Sequence, residues 1–260
     1  MSLLESPAAS SAPQPGEQRQ QRVWKFWGTS LWGLLLFAAM FAGQFLLVVA
    51  FFLAKGPPFD IASIKAVASA GTVISLSVMM GLPAVLMVLW LATRIARMPF
   101  ADYLALRRSS WRDLVIGIVA LIVLVAGWDL LSRMLGRDIS PGFMVEVLKS
   151  AQADGALWLL VLAFAVAAPI TEELMVRGFL YRGWSESALG PVGAIVLSSL
   201  VWTAMHAQYY DWFLFSEVLS IGLLLGYMRY RSNSTWLTII MHGINNFAAT
   251  LQSVWLAGQQ

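Results

Sequence analysis

Long apolar runs recur along the chain, separated by short stretches that hold almost all of its charged residues. The runs occupy residues 31–54, 66–92, 114–128 with an extension to 135, 156–170 leading into a Glu-Glu pair, 191–205, 219–228 with its flanks, and 235–257. A membrane-crossing helix needs roughly 20 predominantly apolar residues. The pattern therefore predicts an all-α, polytopic transmembrane helix bundle of about seven spans. Residues 1–22 are rich in Ser, Ala, Pro and Gln and lack the apolar core of a signal peptide, so they read as a disordered cytoplasmic tail. No internal repeat is evident.

Composition narrows the class. With 59% hydrophobic and 12% charged residues and a mean hydropathy of +0.72, the chain has too little polar surface for an ordinary soluble domain. Of its twelve tryptophans, Trp24, Trp27, Trp32, Trp90 and Trp111 fall near segment ends, where indole rings favour the headgroup boundary. The absence of cysteine excludes disulfides, thiol catalysis and thiolate metal sites. A net charge of +3 comes from basic residues scattered over short loops, not gathered in a stripe, so membrane lipid and not nucleic acid is the expected surrounding partner.

Those basic residues also predict orientation. With the N-terminus inside, twelve of the seventeen Lys and Arg fall on the inner side, and Lys55, Lys65, Arg133, Arg137 and Lys149 on the outer. Cytoplasmic loops carry the excess of Lys and Arg. The expectation is an integral protein of the cell's inner or plasma membrane, with a cytoplasmic N-terminus and the C-terminus on the opposite side.

Candidate chemistry sits where ionisable groups interrupt the apolar runs, since a charge in hydrocarbon is costly unless paired or wet. Glu173 and Arg177 are four apart with the acid first, the favourable order for an ion pair on one helix face. Glu172 is rotated about 100° away and meets only Met175 and Val176 locally. Such a carboxylate must find a polar group on another helix or exchange a proton near working pH, as a general base does. The chain's two histidines, His206 and His242, both lie in apolar segments. If the helices on either side of 188–191 form a hairpin centred on Leu189, Glu172 and His206 lie seventeen residues away on each arm and stand level. His242 and Asn246, four apart, share one stripe of the last helix, where two donors would suit a developing oxyanion. Gln208, Tyr209, Tyr210 and Asp211, just past His206, are candidates for a polar water path from the far side, whereas the depth of Glu172 and His242 counted from the cytoplasmic helix ends favours the cytoplasmic face.

Glu-Glu-x-x-x-Arg, aromatic-x-x-x-His and His-x-x-x-Asn, in this order on successive helices, resemble the CPBP (Abi) family of intramembrane glutamic proteases, which includes the type II CAAX prenyl proteases and proteins linked to bacteriocin immunity. The likeness covers about residues 157–251, within a catalytic helix bundle over 151–260 preceded by N-terminal transmembrane helices over 23–150. It implies that Glu172 and His206 activate a water, that His242 and Asn246 stabilise the tetrahedral intermediate, and that Glu173 and Arg177 support the first motif. It implies further a peptide or protein substrate at the membrane, lipidated for some members, and no cofactor or metal. Trp202 stands where the family usually has Phe, a bulkier wall that bears on substrate preference. Two alternatives stand beside this reading. Glu172, His206 and His242 would make a His₂Glu zinc set for a metal-dependent membrane protease, although the usual His-Glu-x-x-His helix is absent. The other is a non-proteolytic immunity or regulatory membrane protein whose polar residues bind a neighbouring helix.

Overall fold

The structure, a computed structural model, describes residues 21–137, 142–207 and 211–257. The expected N-terminal tail lies almost wholly outside these residues, as do Gln208, Tyr209 and Tyr210. The described residues form helices and connecting turns, with no strand among them. In chain order the helices are α1 (Phe26–Lys55), α2 (Ile61–Ala68), α3 (Gly71–Ala96), α4 (Phe100–Tyr103), α5 (Trp111–Met134) and α6 (Gly142–Ala153). They are followed by α7 (Leu157–Ser185), α8 (Gly190–Ala204), α9 (Trp212–Ser232) and α10 (Thr235–Ala257).

Among the described residues, α1, α3, α5, α7 and α9 are long and apolar enough to cross a membrane. The other two predicted spans differ for separate reasons. At 15 residues, α8 is shorter than a full crossing requires. α10 has the length, at 23 residues, but its inward face carries the buried Thr235, Thr238, His242, Thr250 and Ser253. Its outward face is Trp236, Ile240, Ile244, Phe247, Leu251 and Trp255, all exposed. α1 is apolar all round: Thr29, Gly33, Leu36 and Met40 face the bundle at helical spacing, while Leu31, Leu34, Phe41, Phe45 and Leu46 are exposed. Exposed apolar surface of this extent is stable against lipid, not water. The chain is an integral membrane protein.

The second apolar run departs from the expected continuous helix over 66–92. It is broken into α2 and α3 at Ser69 and Ala70, and Ala70 is extended. A Cβ on Gly71 would lie 2.5 Å from the carbonyl oxygen of Val147, so α3 starts at the one residue that admits this contact with α6. Ser150 Oγ accepts from the Gly71 N–H at 3.0 Å and satisfies a first-turn donor of α3.

One core joins the two halves of the chain, running from Leu36 and Met40 through Val85 and Leu89 to Met175, Phe179, Trp202, Leu225 and Met241. α7 is its axis. Its end is clamped on α1: Trp184 Nε1 donates to Ser30 Oγ at 3.1 Å, and a Cβ on Gly183 would lie 1.8 Å from Thr29 Oγ1 and 2.2 Å from the Trp24 carbonyl oxygen. The second of these atoms is backbone and cannot rotate away. Gly183→Ala is therefore expected to cost about 3 kcal/mol, the upper end for overpacking, read as faster thermal inactivation in detergent. Wild-type stability in that variant would mean that α1 and α7 slide apart freely.

Two stretches of α7, Ala163–Ala167 and Leu174–Leu180, are π-helical. In the first, the Ala168 N–H reaches back to the Ala163 oxygen, so it no longer serves Phe164. The next candidate donor, Pro169, has no N–H. In the second, the Tyr181 N–H bonds to Val176 in place of Arg177. Each π turn thus releases one carbonyl, and a polar side chain from another helix takes it up. Asn246 Nδ2 of α10 donates to Phe164 O at 3.0 Å, and Arg229 Nε of α9 donates to Arg177 O at 3.1 Å. π turns of this kind are frequent at functional sites.

Candidate active site

A cavity of ≈ 700 Å³ lies among α1, α3, α5, α6, α7, α8, α9 and α10. Glu172, Trp202, His206 and Asn246 are all on its wall, together with Asn245. The hairpin that brings Glu172 and His206 together turns at Gly190, whose φ of 61° is in the left-handed region that glycine adopts without steric cost. Both residues are half-buried.

Trp202 links the two. Its indole Nε1–H donates to Glu172 Oε2 at 2.6 Å, and its carbonyl oxygen receives a hydrogen bond from His206 Nδ1 at 2.9 Å. Because a carbonyl only accepts, His206 carries a proton on Nδ1, and in the neutral ring its Nε2 holds the lone pair. The indole ring also meets both imidazoles edge to face, His206 at 4.7 Å and His242 at 5.2 Å between centroids. The Arg177 guanidinium lies 4.8 Å from its centroid.

Behind this wall, Glu173 and Arg177 form the expected ion pair, at 2.8 Å and with both side chains fully buried. Arg177 makes a further bond, from Nη2 to Gly222 O at 3.0 Å. His242 is placed differently from its stripe partner. Its Nδ1 bonds to Glu173 Oε1 at 3.0 Å, the residue is buried, and it is not on the cavity wall, whereas Asn246, one turn on, is. The stripe therefore passes from the buried ion pair into the cavity. Among the described residues, no three His, Asp or Glu side chains are grouped to hold a metal ion, so Glu172, His206 and His242 do not converge as a zinc set.

Of the residues suggested for a polar path past His206, Asp211 is not itself on the cavity wall. Its carboxylate caps α9, accepting from Phe213 N at 2.7 Å and Leu214 N at 3.2 Å, and it pairs with Arg137. Further polar residues on the cavity wall include Gln44, Asp129, Glu217 and Gln252, with Gln252 Nε2 donating to Asp129 Oδ2 at 3.3 Å. Asp129 and Glu217 escaped the sequence reading, although the rule that singles out Glu172, an acid inside an apolar segment, applies equally to them. The indole bond to Glu172 was missed as well. Its signal was the one atom that distinguishes Trp from Phe at position 202, a ring N–H.

A cavity walled by an acid and a histidine, inside an all-α integral membrane bundle, defines the class: a membrane protein with an intramembrane polar site. Residues 154–248 match the family model described as type II CAAX prenyl endopeptidase Rce1-like, so this region of the chain is similar to the CPBP/CAAX-protease-like family. The matched region contains Glu172, Glu173, Arg177, Trp202, His206, His242 and Asn246. A 125-residue segment, 47% of the chain, is 26% identical to an uncharacterized 24.3 kDa protein of Escherichia coli. That segment spans about half of the curated relative, 56% of its length. No solved structure matches the chain.

Proposed function

We propose that the protein is an intramembrane glutamic endopeptidase that hydrolyses a peptide bond of a membrane-associated peptide or protein. The observation that carries this reading is the presence of Glu172, His206 and Asn246 on one cavity wall within the bilayer-spanning bundle. The family match agrees with it. A water held between the Glu172 carboxylate and His206 Nε2 attacks the scissile carbonyl carbon, and Glu172 takes one of its protons. The developing oxyanion accepts from Asn246, whose amide donates one hydrogen to Phe164 O and retains a second. When the C–N bond breaks, the proton on Glu172 passes to the leaving amine, and the remaining hydroxyl proton leaves through His206. Glu173, Arg177 and His242 form the buried support of this wall, with His242 braced by Glu173 and packed against Trp202.

The decisive test is a product map. Purified protein is incubated in detergent with a membrane-associated peptide, both prenylated and unmodified, in ¹⁸O-labelled water. Cleavage at a defined bond, with ¹⁸O in the new carboxyl group, is the expected result. Intact peptide in every arm, with the peptide bound, supports a non-proteolytic role.

The proposed orientation follows from the asymmetry of basic residues. Reporter tags at the two ends should locate to opposite compartments, the N-terminal one in the cytoplasm. Both tags on one side would mean an even number of crossings. The polar lining of the cavity gathers toward the end of the bundle that carries Arg137 and Asp211, opposite the Arg231–Asp113 pair. With the N-terminus inside, water reaches the site from the non-cytoplasmic side.

A further inference from the structure

We propose that Trp202 is a positioning residue of the site: its indole N–H selects which oxygen of Glu172 faces the cavity. The inference rests on the proposed role of Glu172 as the base. A glutamate on a cavity wall rotates freely about its terminal torsion, which is broad and two-fold. Either oxygen then meets the water, at an angle set by chance. Here Oε2 is held at 2.6 Å by a donor that has no acceptor function of its own, leaving Oε1 as the basic oxygen.

The donor is itself fixed from several sides. The Trp202 ring is 3% exposed and lies edge to face with His206 and His242, with Arg177 over its face. Gly222 allows this approach, since a Cβ there would lie 3.1 Å from Trp202 Cε3. The backbone of the same residue orients the second base, because Trp202 O fixes the His206 ring through Nδ1. One residue thus holds both groups that flank the water, Glu172 by its side chain and His206 by its main chain. Only the first hold is lost on substitution, so a substitution isolates the indole bond from the rest of the site.

The test separates the N–H from the volume of the ring. Trp202→Phe removes both, whereas Trp202→3-benzothienylalanine keeps the bicyclic shape and replaces the N–H by sulfur. Both variants are expected to lose about 10- to 100-fold in kcat, the scale set by misplacing a reacting group, with KM within about two-fold and thermal inactivation of the benzothienyl variant unchanged. A purely structural wall would instead give full kcat with benzothienylalanine, and that outcome overturns the proposal while leaving Glu172 as base intact. A second readout does not depend on turnover. In ¹⁵N-tryptophan-labelled protein, the indole resonance that disappears in Trp202→Phe should move upfield in Glu172→Gln, because a charge-assisted bond becomes a neutral one. An unmoved resonance also refutes the bond. If the resonance moves but Glu172→Gln retains full turnover, the positioning bond exists and the proposed mechanism is what fails.

Discussion

Replacing Glu172 by Gln is expected to lower turnover by about 10² to 10⁴, the usual worth of a general base, with folding and peptide binding retained. The substitution keeps the side-chain shape. The amide oxygen still accepts from the Trp202 indole, so the bond at 2.6 Å has a successor and the wall does not open. What disappears is the basic oxygen toward the cavity, where an NH₂ group now stands and cannot take a proton from water. Because Glu172 is half-buried on a cavity wall and has no ion-pair partner among the described residues that the amide would leave behind, the neutral amide strands no buried charge. Turnover measured beside peptide binding and thermal inactivation in detergent resolves the two effects. Full activity in the variant would sink the mechanism.

The neighbouring substitution should do the reverse. Glu173→Gln is expected to cost roughly 3–5 kcal/mol of stability, because it leaves Arg177 as a fully buried charge without its counter-ion. His242 loses a charged acceptor in the same step. Adding Arg177→Met removes the stranded charge and should recover part of the loss. Recovery is only partial, since the guanidinium also bonds to Gly222 O and lies over the Trp202 ring, and Met reproduces neither contact well. The comparison requires thermal inactivation of both single variants and the double variant. Additive losses at 173 and 177 would remove the ion pair from the account and leave the role of Glu172 untouched. Two adjacent glutamates thus separate by experiment, one through rate and one through stability.

Much of this was legible in the chain itself. Apolar runs, several of them only when extended through their flanks, announce α1, α3, α5, α7 and α9, because a helix in lipid must be apolar over its exposed length and no tertiary context is needed to recognise that. The Glu173–Arg177 pair was equally readable, as both partners lie on one helix at a spacing that backbone geometry converts directly into contact, and the pair survives inside a π turn. Hairpin counting about Leu189 brought Glu172 to His206, since an antiparallel pair preserves level positions.

Other features depended on which helix lies against which. The close contact at the start of α3 joins Gly71 to the carbonyl of Val147, about 76 positions away, and only packing brings the two together. Spacing alone puts His242 and Asn246 on one stripe. Only packing decides that this stripe crosses from the buried ion pair into the cavity, so that the histidine meets Glu173 and the asparagine meets the carbonyl freed at Phe164. The indole bond from Trp202 to Glu172 is of the same kind. Sequence by itself determined the solvent, the helices and the local pair, because hydrophobic length and helical periodicity act over neighbouring residues. The tertiary structure alone decided which oxygen, ring nitrogen and carbonyl each polar group meets, because those bonds join residues from separate helices and their partners are chosen by packing.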